Sequence, residues 1–144
     1  MPGAMAQTVD QGGRPKAYRP LPAAEREAAL DAGIEAYRRG DFFEAHELLE
    51  PAWMGTADPL ERDLHQGLIK LAAAFVHAVR GNPLGIEKNL RGARERLAGV
   101  AARGGSLSGI DVRRLVDEID ERLATLRSDP AVVFPPPPLE RTSR

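Results

Sequence analysis

The sequence predicts an all-α protein, a compact bundle of about five helices built from two helical hairpins plus a C-terminal helix. Two observations predict this fold. Large apolar residues recur at three- and four-residue spacing in successive segments, which is the periodicity of one helix face. These segments are separated by glycines and by pairs of a capping residue with proline, and no alternating strand pattern is recognised. A chain of 144 residues has room for one such domain.

The first hairpin is predicted over residues 23–39 and the segment that follows Asp41. The first helix carries apolar residues on one face and should end at Gly40, because glycine readily adopts the left-handed conformation at a helix end. Asp41 is expected to cap the second helix through its side chain. Pro51 should kink or end that helix near Trp53.

The second hairpin and the last helix are predicted from repeated start signals. Asp58–Pro59 and Asn82–Pro83 each place a capping side chain before a proline at the first helical position. The helices that they start should end near Arg80 and before the glycines at 104–105. Asp111 is expected to cap the fifth helix.

Composition narrows the classes of function. The 20 basic and 21 acidic residues give a net charge of -1, which disfavours nucleic acid as a partner. The chain has no cysteine, so disulfides and cysteine zinc sites are excluded. The longest apolar run, 68–79, is interrupted by Lys70 and is too short to span a bilayer, and residues 1–20 lack a signal-peptide core. We therefore expect no membrane partner and a soluble, cytoplasmic protein.

The two ends differ in composition from the middle of the chain. Residues 1–21 have few large apolar side chains and are predicted to be a flexible arm before a helical domain at 22–128. Residues 129–144 form a proline-rich tail in which Pro135–Pro138 favours an extended polyproline conformation. Such a tail could serve as a ligand for an aromatic groove, but a disordered spacer is favoured.

A polar cluster is the main candidate for function. On the second helix, His46 and Glu50 are one turn apart and share a stripe with Trp53. On the third helix, Gln66 and His77 are predicted to occupy a second polar stripe. If the two stripes face each other, they form a buried polar network, in which each unpaired group would cost ~1–3 kcal/mol.

The cluster allows two interpretations. It can organise the packing of a helical bundle, or it can hold a small ligand or a divalent metal ion, with His46, Glu50 and His77 as candidate ligands. The order His-Glu-x-x-Glu is superficially similar to a zinc protease helix but lacks the second histidine. In an acid-base enzyme, His46 would be the base, Glu50 would orient it, and Glu47 would lie at the rim.

Three other residues on these helices have specific predictions. His65 is expected to be partly exposed and solvated near the start of the third helix. Trp53 is expected to belong to the core. Gly67 lies inside a helix, where glycine is unfavourable, so it should permit a close helix crossing.

Two sequence blocks resemble a widespread prokaryotic family of small all-helical proteins catalogued as a domain of unknown function. The blocks are F-x-E-A-H-E-x-x-E-x-x-W at 42–53 and Q-G-L-I at 66–69. The resemblance covers about residues 25–100 and implies a compact helical fold with no established activity. The matching positions in this chain are His46, Glu47, Glu50, Trp53, Gln66, Gly67 and His77, and Phe43, Trp53, Gln66 and Gly67 are the candidates for the signature or a pocket. Lys70 stands where the family more often has glutamine, and its ammonium group would repel a bound cation.

The sequence thus favours a helical binding or scaffold module with a buried His/Glu/Gln cluster. The alternative is a metal-dependent or acid-base enzyme that uses the same cluster. A small bundle also leaves apolar surface that can drive homodimerisation, the commonest form of assembly. No substrate or small ligand is identified by these patterns.

Overall fold

The computed structural model describes residues 8–11 and 14–142. Within these ranges, five helices form the body of the protein, and each packs against the next along the chain. The all-α prediction is therefore confirmed. The helices are α1 (Ala23–Arg38), α2 (Phe42–Met54), α3 (Pro59–Val79), α4 (Pro83–Ala102) and α5 (Val112–Ser128).

Three of the predicted helix caps form as hydrogen bonds. Each capping side chain accepts a bond from the backbone N–H three residues later, at 3.0 Å for Asp58, 3.2 Å for Asn82 and 3.0 Å for Asp111. Such caps pair amides that have no partner inside the helix. Gly40 and Gly81 have φ angles of +86° and +67°, so glycine is needed at both tight junctions.

The junction between α1 and α2 differs from its prediction at one side chain. Asp41 makes no side-chain cap on α2, and its Oδ2 lies 3.2 Å from Arg39 Nε instead. The ion pair competes for the carboxylate that would otherwise accept from the helix amides. Pro51 lies inside α2, which continues for three more residues to Met54.

The expectation of no strands is wrong, because the described residues include two short antiparallel hairpins. They pair β1 (Thr8–Gln11) with β2 (Arg14–Ala17), and β3 (Ser106–Leu107) with β4 (Ile110–Asp111). The second hairpin turns at Ser108 and Gly109, which have φ angles of +53° and +77°. Two positive φ values suit a tight hairpin turn. The strands that it joins have two residues each, too few to show an alternating pattern.

The core lies mainly between α3 and its neighbours. Both α2 and α4 pack against α3, whose buried residues face in several directions, as expected for the longest apolar run of the chain. Among residues 8–11 and 14–142, no helix is long and apolar enough to cross a membrane. The largest side chains that are almost completely buried include Trp53, Leu30, Leu49, Leu64, Leu68, Leu71, Leu90 and Leu97.

The segment before α1 contacts the end of α2. The backbone N–H groups of Arg19 and Leu21 donate to the carbonyls of Met54 and Gly55, both at 3.0 Å. The rest of the predicted arm at 1–21 includes the first hairpin, and residues 1–7 and 12–13 lie outside the described residues. The division of the chain into arm, domain and tail stays a prediction.

The C-terminal tail runs back along the helices. Pro135–Pro138 has no regular secondary structure and links two anchored stretches. Phe134 packs on the core, and Leu139 is a buried member of it. The disordered spacer predicted for this segment is therefore wrong for residues 132–142, because apolar side chains flank the prolines and bind the body. Residues 143–144 lie outside the part that the structure describes.

Candidate functional site

The candidate residues of α2 lie on different sides of the helix. Leu49 and Trp53 point into the core, and Trp53 is completely buried, as predicted. The side chain of His46 is 31 % exposed, and Glu50 is half-buried. The stripe predicted from helical periodicity therefore lies at the edge of the core. Leu49 and Trp53 are buried, whereas His46 and Glu50 are partly exposed.

His46 is held by its neighbours on the same helix. Its ring is parallel to that of Phe43, with 6.5 Å between the ring centres and 7° between the planes. Its Nδ1 is shielded from solvent and lies 3.5 Å from Glu47 Oε2, without hydrogen-bond geometry. This pair is an ion pair only when the imidazole is protonated. His46 thus packs at the surface against an exposed phenyl ring.

Gln66 and His77, on α3, have unrelated surroundings. Gln66 is buried, and its Nε2 has no hydrogen-bond partner among the residues that the structure describes. His77 is half-buried, its Nδ1 lies 3.2 Å from Asn82 Nδ2, and its ring packs against Gly85 at the start of α4. Of the four residues predicted to meet in a buried network, only Gln66 is buried, so that prediction is wrong.

The residues predicted as metal ligands do not form a three-ligand group. Across the described ranges 8–11 and 14–142, no set of three His, Asp or Glu side chains is arranged to hold a metal ion. His77 contacts the α3–α4 junction, while His46 stacks on Phe43. Lys70 extends its side chain over Gly92, where burial, together with nearby basic groups, lowers the pKa of its ammonium group.

His65 was predicted to be solvated, and the structure shows the opposite. Only 2 % of the residue is exposed, and its Nδ1 is buried without a hydrogen-bond partner in the described part of the chain. Burial lowers the pKa of His65 to about 4; Glu61 opposes this shift, and Arg26 and Arg141 add to it. The prediction is wrong because α1 and the β3–β4 turn cover this side of α3.

A small cavity of about 60 Å³ adjoins His65. Polar groups contribute to its wall, and the Nε atom of Arg26 lies 2.6 Å from Glu61 Oε1 across it. Space of this size holds a few water molecules, which can satisfy a buried ring nitrogen. The lining residues are Ala23, Arg26, Glu27, Leu30, Glu61, His65 and Ser108.

Gly67 has the packing role that was predicted. A Cβ atom at this position would lie 2.6 Å from both Cγ and Cδ2 of Leu97, so glycine allows α3 and α4 to approach closely. We expect Gly67→Ala to lower the free energy of unfolding by about 1–3 kcal/mol, the usual cost of overpacking a core. Urea denaturation monitored by circular dichroism measures the change.

Gly99 is the matched control for this substitution. It is an exposed glycine within α4, and a Cβ atom there would meet nothing within 4 Å. Alanine at a helical site of this kind stabilises by about 0.4–1 kcal/mol, because it restricts the unfolded chain. A Gly67→Ala protein as stable as the Gly99→Ala protein would contradict the close-crossing role.

A second candidate site is an apolar groove at the end of the bundle where α1 turns into α2. The groove has a volume of about 500 Å³. It lies between this turn and the last turn of α3. Two of its side chains are large, apolar and exposed, at 63 % for Phe43 and 78 % for Val79. The lining residues are Gly40, Asp41, Phe42, Phe43, Glu44, Val76, Val79 and Arg80.

Leu84, in the first turn of α4, is another large apolar residue that is exposed, at 79 %. It does not line the groove. We call the surface formed by Phe43 and Val79 beside the groove the apolar end. Single exposed apolar residues are common on proteins, but a group beside a groove marks an interaction site.

Charged side chains border the apolar end. Asp41 and Glu44 lie on the α2 side of the groove, and Arg80 lies on the α3 side. Arg39 contacts both acidic groups, at 3.2 Å and 3.5 Å. The rim therefore combines an acidic side with a basic side.

The apolar end was not predicted, although the sequence contains a signal for it. Arg39-Gly40-Asp41 and Arg80-Gly81-Asn82 are similar junctions separated by 41 positions, and the same offset relates Phe43 to Leu84. A large apolar residue therefore stands at the second position of both α2 and α4. When one helix is considered alone, an apolar residue at its second position does not predict an exposed surface.

Comparisons with known proteins agree with the resemblance of the sequence blocks. Residues 30–90 are similar to a family described as a domain of unknown function (DUF309). An uncharacterized protein of Bacillus subtilis (strain 168), YpuF, is 28 % identical over 111 residues, which cover 75 % of this chain. The chain spans 63 % of the length of that relative. No solved structure matches the chain. The similarities support an uncharacterised helical domain without a functional assignment.

Proposed function

We propose that this chain is a helical binding module that associates with a second copy of itself through the apolar end. The single observation that supports this proposal is the groove of about 500 Å³ beside the exposed side chains of Phe43 and Val79. Burial of apolar surface is the main driving force of association, and exposed aromatic residues supply much of it. The cytoplasm is the proposed location, as the lack of cysteine suggests.

The charges of the rim favour a second copy as the partner. In a two-fold dimer, the same surface patch of both copies forms the interface. The acidic side of the patch on one copy can then face the basic side of the patch on the other. Such a rotation would bring Asp41 and Glu44 of one copy near Arg80 of the other. The same groove then supplies both the apolar contact and the complementary charge.

The polar residues in the interior are proposed to organise the fold that presents this surface. Gln66 is buried beside the close α3–α4 crossing at Gly67, and His65 is buried on the side of α1. Buried polar groups can restrict a bundle to one packing arrangement. Within residues 18–142, no observation specifically favours the enzyme alternative based on His46 and Glu50.

The first test is the mass of the protein in solution. We expect sedimentation to give a dimer for the wild type and a monomer for Phe43→Asp and Val79→Asp, because a carboxylate would be buried at the interface. Val133→Asp is the control, since Val133 is also an exposed apolar residue but is not part of the apolar end. A concentration of ~100 µM is far above the dissociation constant of a stable dimer. A wild type that is still monomeric at this concentration would contradict the proposal.

Exchanging an acidic and a basic side chain of the rim distinguishes self-association from binding to an unrelated surface. Glu44→Arg and Arg80→Glu should each weaken the dimer, because each places like charges together across the two-fold axis. The double variant restores opposite charges and should recover most of the affinity. Additive losses in the double variant would show that the two residues do not face each other between copies.

A further inference from the structure

We propose that the surface beneath the C-terminal tail is a peptide-binding site for extended, proline-rich segments, and that the tail is its built-in ligand. We call this surface the peptide strip and define it by Tyr37, Phe75, Arg122, Asp31 and the carbonyl of Ser108. None of these residues lines the groove beside the apolar end, and the proposal does not depend on the proposed dimer. The partner is a segment of another chain with the same pattern of side chains as the tail.

Donors of the body recognise the backbone of the tail. The hydroxyl of Tyr37 donates to the carbonyl of Pro137 at 2.7 Å, and Arg122 Nε donates to the carbonyl of Pro135 at 2.8 Å. An extended proline segment has no internal hydrogen bonds, so its carbonyls are free to accept. Aromatic and donor side chains are the usual means of recognising such segments.

Arg122 is also held by a residue of its own helix. Its Nη1 donates to the carbonyl of Glu118 at 3.1 Å and to Glu118 Oε1 at 2.7 Å. Only 12 % of its side chain is exposed. The guanidinium group is thus fixed by α5 itself, and its Nε remains directed at an incoming carbonyl. A preorganised donor lowers the entropic cost of binding.

Apolar side chains anchor the tail on both sides of the prolines. The ring of Phe134 meets that of Phe75 edge to face, with 6.1 Å between the centres. Leu139 is buried in the core. Between these anchors, Pro135 and Pro138 face solvent, while Pro137 is buried. The strip therefore selects side chains at defined positions along an extended backbone.

A charged clamp binds the end of the segment. Arg141 Nη1 lies 2.6 Å from Asp31 Oδ1, and its Nε donates to the carbonyl of Ser108 at 2.9 Å. Glu27 Oε1 lies 3.7 Å from Nη2 of the same arginine. Two carboxylates and a carbonyl specify a guanidinium group better than an ammonium group, because arginine presents several donors in fixed directions.

The contacts define the ligand. It contains an aromatic residue, a run of prolines, and then leucine and arginine separated by one residue, as in the tail at 134–141. A tail joined through a short linker competes with such a ligand at a high effective concentration. A peptide supplied separately should therefore bind well only when the tail is displaced.

The test uses the full-length chain and a fluorescent peptide with the sequence of residues 131–142. Leu139→Asp in the protein should release the tail and leave the peptide strip intact. We expect fluorescence anisotropy to show peptide binding at least ~10-fold tighter than in the wild type, because competition by the tail is weakened. Val133→Asp is the matched control, since this exposed tail residue should leave binding at the wild-type level.

Two further measurements make the result specific. Adding Tyr37→Phe to the Leu139→Asp protein removes one donor to the ligand and should weaken peptide binding about two- to tenfold. A peptide that carries Leu139→Asp should not bind. A Leu139→Asp protein that stays helical but binds the wild-type peptide no better than the wild-type protein would overturn the proposal.

If the Leu139→Asp protein does not fold, the wild-type contacts can be tested in another way. A protease site introduced at the exposed residues 129–131 allows the tail to be cut after folding, without the loss of any anchor. Exchange of the cut tail for labelled peptide would support an exchangeable site. A cut tail that stays bound without exchange for a day would identify it as a permanent part of the fold and refute the proposal.

Discussion

Replacement of Trp53 by alanine is expected to lower the free energy of unfolding by about 3–5 kcal/mol, the usual loss for a large aromatic residue in a core. Trp53 is completely buried near the end of α2. Its removal leaves a cavity that the surrounding helices cannot fill without moving. The free energy of unfolding of native proteins is usually ~5–15 kcal/mol, so this loss is comparable with the whole stability of many small domains. The variant should therefore be partly unfolded at 37 °C.

Urea or thermal denaturation followed by circular dichroism measures this effect. Val133→Ala is the control, because it truncates an apolar residue that is 94 % exposed and lies outside the apolar end. We expect this control to change stability by less than about 1 kcal/mol, as for most surface substitutions. Equal losses in the two variants would contradict the assignment of Trp53 to the core.

The protein is expected to lose about 3 kcal/mol of stability on acidification through the titration of His65 alone. Burial lowers the pKa of His65 from 6.5 to about 4 in the folded protein. Between these values the unfolded chain binds the proton and the folded protein does not. Stability from this group is thus complete above pH 6.5, falls as the pH is lowered, and is lost near pH 4.

The measurement compares unfolding free energies at pH 7.5 and pH 4.5 for the wild type and His65→Gln. Glutamine does not titrate, so the variant should lose about 2–3 kcal/mol less than the wild type over this interval. Carboxylates contribute to both proteins and cancel in the comparison. His77→Gln should retain the wild-type dependence, because it leaves His65 in place. Identical slopes for the wild type and His65→Gln would show that His65 is accessible to protons in the folded state.

The helices were predictable because their ends are specified locally. Asp58 and Asn82 cap the helices that they precede, and Gly40 and Gly81 adopt the left-handed conformation just after α1 and α3. Asp41 has the same type of side chain but pairs with Arg39 instead. A local pattern identifies a capping residue, but it does not show which partner the side chain chooses.

The candidate site was less predictable because helical periodicity places a residue in a sector without identifying what covers that sector. His46 shares a stripe with Trp53 but lies at the edge of the core. His65 was expected in solvent but is covered by α1 and by the turn at Ser108. The covering segments are remote in sequence, so the pattern within α3 holds no information about them.

The tail shows the same limit over a greater distance. Proline composition predicts an extended backbone, and the residues 135–138 are indeed without regular structure. Composition does not reveal that Phe134 and Leu139 anchor the segment. These two apolar residues on either side of the prolines were the signal for docking, because a spacer has no need of them.

The bonds from Arg141 to Asp31 and from Tyr37 to Pro137 join residues 110 and 100 positions apart. Because translation proceeds from the N-terminus, α1 leaves the ribosome before residues 137–141 are made. These two bonds can therefore form only after α5 has been synthesised, so closure of residues 137–141 over α1 is a late step of folding.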